Sequence, residues 1–299
     1  PVTIVEKIRS ALGENFLLIF RLSMIDLIPN GSSHDEVVIL AKKLEAAGIN
    51  IINTGIGWHE ARIPTIATSV PPAAFSWVTK KLMGKITIPL ITSNRINTPE
   101  KVEEVLNSKC ADLVSMARPF LADPDFVNKA SQDKSELIAP CIACNQACLD
   151  HTFKGKISSC LVNPRACYED ELELKLVSNP KKIAIVGAGP AGLSAAITAA
   201  QVGHQVTLFE KEQELGGQLN LAKKVPGKEE FWGLVSWYEN MIKILPAIEI
   251  KLNHTAEKKE LVNFDKVIVA TGVNPREPLI DGVNKKHVHY YKDLSLIHI

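Results

Sequence analysis

A glycine-rich turn between an apolar run and an alanine-rich segment restricts the second half of this chain to few folds. Residues 181–186 are mostly apolar, residues 187–192 read Gly-Ala-Gly-Pro-Ala-Gly, and a second apolar run at 205–209 ends at Glu210. The glycines of such a turn let a pyrophosphate approach the helix amino terminus, and an acid after the next strand can accept from a ribose hydroxyl. An ordinary tight turn would not explain Glu210. The pattern predicts a Rossmann-like dinucleotide-binding domain.

Two further segments suit the same ligand. Residues 214–218 read Glu-Leu-Gly-Gly-Gln, and their glycine pair can bring backbone amides to a phosphate. Residues 270–272 read Ala-Thr-Gly and close another apolar run with a turn of small residues. The predicted dinucleotide contacts are Gly187, Gly189, Gly192, Glu210, Gly217 and Gln218.

The first half of the chain alternates apolar runs with amphipathic segments. The runs 16–20, 49–52, 86–91 and 111–114 are typical of buried parallel strands. The segments 36–47 and 99–108 predict helices, the second opened by Thr98 as a cap and by Pro99. Polar residues follow the runs, at the strand ends where a (β/α)8 barrel keeps its active site. They are Arg21, residues 53–62, Asn94, Arg95 and Arg118.

Only about four strand–helix units fit before residue 140, whereas a closed barrel needs eight strands. Open parallel strands would leave unpaired edges and apolar surface. We therefore expect an α/β chain in which residues 1–140 are the C-terminal half of a (β/α)8 barrel from a larger protein. Residues 141–180 are a linker that carries a group of cysteines, and residues 181–299 begin a Rossmann-like dinucleotide-binding domain. A small open α/β domain is the alternative for residues 1–140.

Four cysteines lie between these halves at ligand-like spacing. Cys141, Cys144 and Cys148 are close together, and Cys160 follows in a segment rich in Asn, Pro and Gly. Three close cysteines and a distant one are common for 4Fe–4S clusters. Zinc is the first competitor, although the second of the two Cys-x-x-Cys pairs that favour zinc is absent, and unligated thiols are the second competitor. Cys110 is expected to be a small buried hydrophobe.

Composition excludes several classes of function. The chain has 34 basic and 33 acidic side chains, so it has no large field to attract nucleic acid or an anionic membrane. No apolar stretch approaches the roughly 18 residues of a membrane span, and the first residues lack the pattern of a signal peptide. We expect a cytoplasmic protein with reduced thiols and a small-molecule substrate.

With these residues assembled, the chain resembles the bacterial-type 2,4-dienoyl-CoA reductases, within the NADH:flavin oxidoreductases related to old yellow enzyme and trimethylamine dehydrogenase. The likeness extends to about residue 293 and rests on five specific segments. They are residues 21–24, 53–62, 115–120, 141–148 and 214–218.

The resemblance implies FMN in the barrel, a 4Fe–4S cluster beside it, and FAD next to an NADPH site in the second domain. It implies a relay in which NADPH reduces FAD, single electrons cross the cluster, and reduced FMN gives hydride to a conjugated dienoyl-CoA thioester. His59 is implied as a catalytic residue. The implied cluster ligands are Cys141, Cys144, Cys148 and Cys160; the implied FMN contacts are Arg21, Arg95, Ala117 and Arg118; the implied substrate contacts are Glu60, Ala61, Arg62 and Ile63.

One departure from the family bears on activity. In the family the partner of His59 is a proton-donating tyrosine, but no tyrosine precedes Tyr168 here. Because general acid catalysis needs a positioned donor, we expect an active parent enzyme and an inactive isolated chain. A sibling enzyme acting on an enone or an amine is the nearest alternative. A non-catalytic fragment that binds flavin or metal is the other.

Overall fold

The structure is a computed structural model that describes residues 1–58, 61–274 and 276–290. It forms two compact units. Of the described residues, those within 1–130 and 143–163 make the first unit, and those within 131–142 and 164–290 make the second. These divisions lie at other residues than the expected domain boundaries at 140 and 180, which remain predictions.

The first unit contains a four-stranded parallel sheet with helices between its strands. Its elements are α1 (Val2–Leu12), β1 (Ile19–Ile25), α2 (His34–Ala46), β2 (Ile51–Ile56), α3 (Ser76–Lys80), β3 (Leu90–Thr92), α4 (Pro99–Asn107), β4 (Leu113–Val114), α5 (Arg118–Ala122), α6 (Phe126–Ala130) and α7 (Leu149–Phe153). The strands are ordered β1-β2-β3-β4, and each pairs in parallel with the next. This confirms a parallel α/β arrangement, while its assignment as half of a barrel stays a prediction.

Helix starts follow the local sequence signals. The Thr98 hydroxyl accepts from the Lys101 amide at 3.3 Å, and Pro99 occupies the first helical position of α4, as predicted. Ser33 and Glu36 form a reciprocal capping box at the start of α2. Both caps satisfy amides that a helix start leaves without partners.

The first strand differs from its prediction. The apolar run placed it at 16–20, but β1 spans Ile19–Ile25 because it pairs with β2 from Ile19 opposite Ile51 to Ile25 opposite Ile56. Leu22 and Met24 are buried while Arg21 and Ser23 are exposed, so the strand alternates its faces. Arg21 therefore lies within β1 and not after it.

A buried hydroxyl network fastens α3 to the sheet. Thr79 lies 2.7 Å from the Thr54 hydroxyl of β2 and 2.9 Å from the Thr92 hydroxyl of β3. The Thr54 hydroxyl also donates to the Ile91 carbonyl at 2.8 Å. All three threonines are fully buried. The polar groups are satisfied by one another, as a dry interior requires.

The second unit holds another four-stranded parallel sheet. Its elements are a 3₁₀ turn (Ser135–Leu137), β5 (Lys182–Val186), α8 (Pro190–Gln201), β6 (Gln205–Phe209), α9 (Leu219–Ala222), α10 (Glu230–Lys243), β7 (Ile248–Lys251), α11 (Lys258–Leu261) and β8 (Lys266–Val269). The strand order is β7-β6-β5-β8. The order reverses beside β5, and that reversal is where Rossmann-type sheets bind dinucleotides, at the carboxyl ends of the strands.

Helix α10 holds the segment that precedes the first cysteine of the cluster motif. The Trp237 indole donates to the Leu137 carbonyl at 3.1 Å, and the Asn240 side-chain amide donates to the Glu136 carbonyl at 3.3 Å. The sequence patterns had identified neither α10 nor β7.

No helix in the described ranges is both long enough and apolar enough to cross a bilayer.

Candidate functional site

The glycine turn after β5 is formed by backbone contacts that allow no side chain at two positions. Gly187 has φ +104°, and a Cβ there would lie 2.4 Å from the Ala270 carbonyl oxygen. A Cβ on Gly192 would lie 1.8 Å from the Gly187 carbonyl oxygen. A Cβ on Gly189 would meet nothing within 4 Å, and Gly189 caps α8. The turn is therefore closed on its inner side and open at the helix amino terminus, where an anion is favoured.

Glu210 closes the turn from the neighbouring strand. It is buried at the end of β6, where its carboxylate accepts from the Ala188 amide at 2.7 Å and from the Glu212 amide at 3.0 Å. A carboxylate has about four lone-pair positions, so these two bonds leave acceptor capacity. Its predicted bond to a ribose hydroxyl remains a prediction. The structure adds that Glu210 shapes the glycine turn itself.

A second glycine pair lies against the first turn. The Gly216 amide donates to the Ala188 carbonyl at 2.9 Å, and a Cβ on Gly217 would lie 3.0 Å from the Cα of Gly189. The Gln218 side-chain amide donates to the Val273 carbonyl at 3.2 Å. The predicted dinucleotide contacts are thus brought together around Gly189.

The sequence patterns missed Asn220, which supports this second pair. Its side chain is buried, and its amide donates to the Leu215 carbonyl at 2.8 Å. A Cβ on Gly216 would lie 2.8 Å from its Oδ1 atom. The available sequence signal was an asparagine between two leucines, because a polar side chain buried among apolar neighbours needs partners.

Of the predicted FMN contacts, Arg95, Ala117 and Arg118 follow strands of the first sheet, whereas Arg21 lies inside β1. Arg21 is exposed on β1 and donates to the Asn53 side chain at 3.3 Å. Arg95 follows β3, where it and Asn94 have positive φ values of 56° and 74°. It is buried, and its Nε donates to the Val70 carbonyl at 2.7 Å. Ala117 is exposed immediately before α5.

Arg118 begins α5 and binds the cysteine loop. Its Nη1 donates to the Asn145 Oδ1 atom at 2.7 Å and to the Ile66 carbonyl at 3.0 Å. Nearby, the Thr68 hydroxyl donates to the Ala143 carbonyl at 2.9 Å. Residues 66–68 follow β2, so one loop of the sheet and one helix start both hold the loop that carries Cys144.

Only part of the predicted catalytic and substrate-binding segment, residues 59–63, lies within the described residues. His59 and Glu60 lie outside the described residues. Ala61 donates its amide to the Trp58 carbonyl at 3.0 Å, while Arg62 and Ile63 are exposed. Their roles remain predictions.

Cys144, Cys148 and Cys160 form one electrostatic group in the first unit. Burial raises the pKa of the Cys144 thiol, and the neighbouring sulfurs of Cys148 and Cys160 raise it further. Burial raises the pKa of the Cys160 thiol as well, with a smaller contribution from Cys148. Thiolates that repel one another in a partly dry site are stabilised by a bound cation.

Backbone amides already point at two of these sulfurs. The Gln146 amide bonds to the Cys144 sulfur, and the amides of Val162 and Asn163 bond to the Cys160 sulfur; each lowers the pKa of its thiol against the larger effect of burial. Such bonds favour the thiolate and are among the contacts that tune iron–sulfur clusters. The donor chemistry therefore fits an iron–sulfur cluster.

In the described ranges no group of three or more His, Cys, Asp or Glu side chains is arranged to hold a metal ion. In a 4Fe–4S cluster the cysteines bind different irons, so they need not converge on one point. Cys141 is buried three residues before Cys144. Cys110 is buried with Ile96 and Val105, as predicted, and Cys167 is exposed.

Comparison with known proteins gives matches in both halves of the chain. Residues 1–136 match the NADH:flavin oxidoreductase / NADH oxidase family, and residues 181–297 match the pyridine nucleotide-disulphide oxidoreductases. A metal reductase of Desulforamulus reducens is 39% identical over 93% of this chain and 42% of its own length. An NADH oxidase of Thermoanaerobacter brockii is 34% identical over 98% of this chain and 46% of its own length.

A solved structure agrees with the same assignment. The complex of 2-naphthoyl-CoA reductase with 2-naphthoyl-CoA superposes with a TM-score of 0.94 at 32% identity, covering 99% of this chain and 46% of that one. The chain thus spans less than half the length of these similar proteins. By its matched segments the chain belongs to the flavin-dependent oxidoreductases, joining an NADH:flavin oxidoreductase domain to a pyridine nucleotide-disulphide oxidoreductase domain.

Proposed function

We propose that this chain is part of a flavin and iron–sulfur oxidoreductase that uses NADPH to reduce a conjugated enoyl-CoA thioester, as 2,4-dienoyl-CoA reductases do in fatty acid β-oxidation. The observation that carries the proposal is the loop with Cys144 and Cys148, held by Arg118 at Asn145 and by Thr68 at Ala143, in a chain that also has a dinucleotide-type glycine turn. The structural similarity to a CoA-thioester reductase favours that substrate class. A cytoplasmic location, where thiols stay reduced, is part of the proposal.

The proposed cluster site consists of four cysteines and nearby backbone amides. Cys141, Cys144, Cys148 and Cys160 would hold a 4Fe–4S cluster, which supplies one-electron transfer when it is bound. The amides of Gln146, Val162 and Asn163 stabilise the thiolate forms of its ligands.

The flavins would be held by different chemistry in the two halves. Arg21, Arg95 and Arg118 offer charge-assisted hydrogen bonds to an FMN phosphate or an anionic ring, with Ala117 beside them. The open amino terminus of α8 at Gly189 suits the FAD pyrophosphate.

Substrate chemistry is assigned to the loop after β2. His59 would be the catalytic histidine, and residues 60–63 would lie beside the substrate. No tyrosine precedes Tyr168, so the chain itself lacks the proton donor expected beside His59. The proposal therefore assigns turnover to the longer parent protein.

The cluster assignment is tested by metal analysis with a matched pair of variants. Protein purified without oxygen is expected to be brown, with iron and acid-labile sulfide in equal amounts. Cys148→Ser should lose most of the iron, whereas Cys167→Ser should keep it, because Cys167 is exposed and outside the ligand spacing. Colourless protein with stoichiometric zinc would contradict the assignment.

The substrate is tested in the full-length parent enzyme. NADPH oxidation with a 2,4-dienoyl-CoA should greatly exceed oxidation with a simple enone, and an amine should not reduce the flavin. The 299-residue chain should fail the same assay. Preference for a free enone or an amine in the parent would favour the sibling activities instead.

A further inference from the structure

Asn145 lies in the sequence between Cys144 and Cys148, two of the proposed cluster ligands. The proposed function gives it no role. It has a φ of +61°, in the left-handed region where asparagine is the best tolerated residue after glycine. Its Oδ1 atom accepts from Arg118 at 2.7 Å, and its carbonyl accepts from the Asp150 amide at 3.0 Å. The residue thus combines an unusual backbone conformation with a bond to a charged donor.

The guanidinium of Arg118 bonds to the protein through its Nη1 atom. Its Nη1 atom uses both hydrogens on the protein, for Asn145 and the Ile66 carbonyl. Among the described residues, its Nε and Nη2 atoms have no hydrogen-bond partner. That edge of a guanidinium matches a phosphate or carboxylate in a bidentate geometry.

We propose that Asn145 is a positioning residue that couples the cysteine loop to the anion-binding edge of Arg118. The hydrogen bond holds the Arg118 guanidinium against the loop that carries Cys144 and Cys148, so the conformation of that loop and the position of the guanidinium depend on each other. This inference rests on the proposed cluster and goes beyond it, because it assigns a coupling to residues outside the ligand set. Linkage makes such a coupling reciprocal.

The backbone conformation at position 145 allows the hydrogen bond to be separated from strain. Asn145→Gly keeps the left-handed conformation and removes the acceptor. Asn145→Asp keeps an acceptor for Arg118. Arg118→Met keeps the aliphatic stem and removes the donor, although Arg118 is not a cluster ligand.

The experiment measures how fast a chelator removes iron from the full 299-residue chain after anaerobic loading with iron and sulfide. Asn145→Gly and Arg118→Met are each expected to release iron about tenfold faster than the wild type, the usual size of a coupling between touching residues. The double variant should be no faster than either single variant. Asn145→Asp should retain iron like the wild type. Far-ultraviolet circular dichroism checks that each variant is folded.

The outcomes separate this inference from the proposed function. A wild-type chain that takes up no iron and sulfide overturns both. A wild-type chain that holds the cluster while Arg118→Met releases iron at the wild-type rate overturns the coupling alone. Rates that multiply in the double variant also overturn it, because independent effects add in free energy.

Discussion

Gly189 and Gly192 are three positions apart but have different surroundings. Gly192 faces the Gly187 carbonyl, whereas Gly189 faces open space at the start of α8. Gly192 is therefore needed for the fold, whereas the role proposed for Gly189 is to allow the approach of a ligand. The consensus spacing does not distinguish these two needs.

Alanine substitution should separate the two glycines. Gly192→Ala places a Cβ 1.8 Å from a carbonyl oxygen and should destabilise the second unit by about 3 kcal/mol or more. Gly189→Ala should leave the melting temperature unchanged and weaken FAD binding, because its Cβ would enter the space for the pyrophosphate. Thermal unfolding and FAD titration measure the two effects. Equal loss of stability in both variants would contradict this division.

Asp26, in the loop after β1, predicts a pH dependence. The Ser23 hydroxyl, 2.6 Å away, and then the Ser32 amide at 2.7 Å lower the pKa of its carboxyl. A lowered folded pKa adds stability that is present above the unfolded value of about 3.9 and is lost as the pH falls through the folded pKa. Asp26→Asn should therefore be less stable than the wild type at pH 7, with a gap that shrinks on acidification.

Urea unfolding across this pH range provides the measurement. Ser23→Ala removes the largest contribution to the lowered pKa and should reduce the same pH dependence. A stability gap between wild type and Asp26→Asn that stays constant down to pH 3 would rule out this origin.

Short elements of the first unit depend on buried polar contacts as well as on apolar packing. Helix α3 has only five residues, too few to be stable alone, yet the Thr79 hydroxyl reaches both β2 and β3. The three threonines explain why this short helix stays against the sheet.

Thr79→Val should cost about 1–3 kcal/mol of unfolding free energy, because it leaves buried hydroxyls of Thr54 and Thr92 without their shared partner. Thr3→Val, on the exposed side of α1, is the matched control and should change stability by less than about 0.5 kcal/mol. Chemical denaturation measures both. A Thr79→Val variant as stable as the control would show that packing alone holds α3.

The second sheet ends in an exposed apolar strand. Within the described residues β8 is at the edge of the order β7-β6-β5-β8, and Val269 on it is 72% exposed. The chain also spans less than half the length of the similar proteins. An uncovered apolar edge strand favours association between chains.

Val269→Lys should therefore reduce concentration-dependent association of the isolated chain, measured by sedimentation velocity. Val262→Lys is the control, since Val262 is 71% exposed but follows α11 and lies on no strand. An equal effect of both substitutions would point to net charge and not to the strand edge.

The local sequence was enough to predict the parallel α/β arrangement, the glycine turn with Glu210 and the burial of Cys110. These features depend on local sequence. Only glycine tolerates the backbone conformation at position 187, and short apolar runs indicate the order of strand, turn and helix. The start of α4 at Thr98 and Pro99 was predictable for the same reason.

Other features depend on partners that are distant in the sequence. The position of Arg21 inside β1 follows from pairing with β2, and the bond from Arg118 to Asn145 joins residues 27 positions apart. Nothing in either local segment selects the other, because a hydrogen bond requires the folded backbone to bring donor and acceptor together. Residue types thus limited which chemistry each segment could offer, while long-range packing brought Arg118 to the cysteine loop and, separately, Thr79 to Thr54 and Thr92.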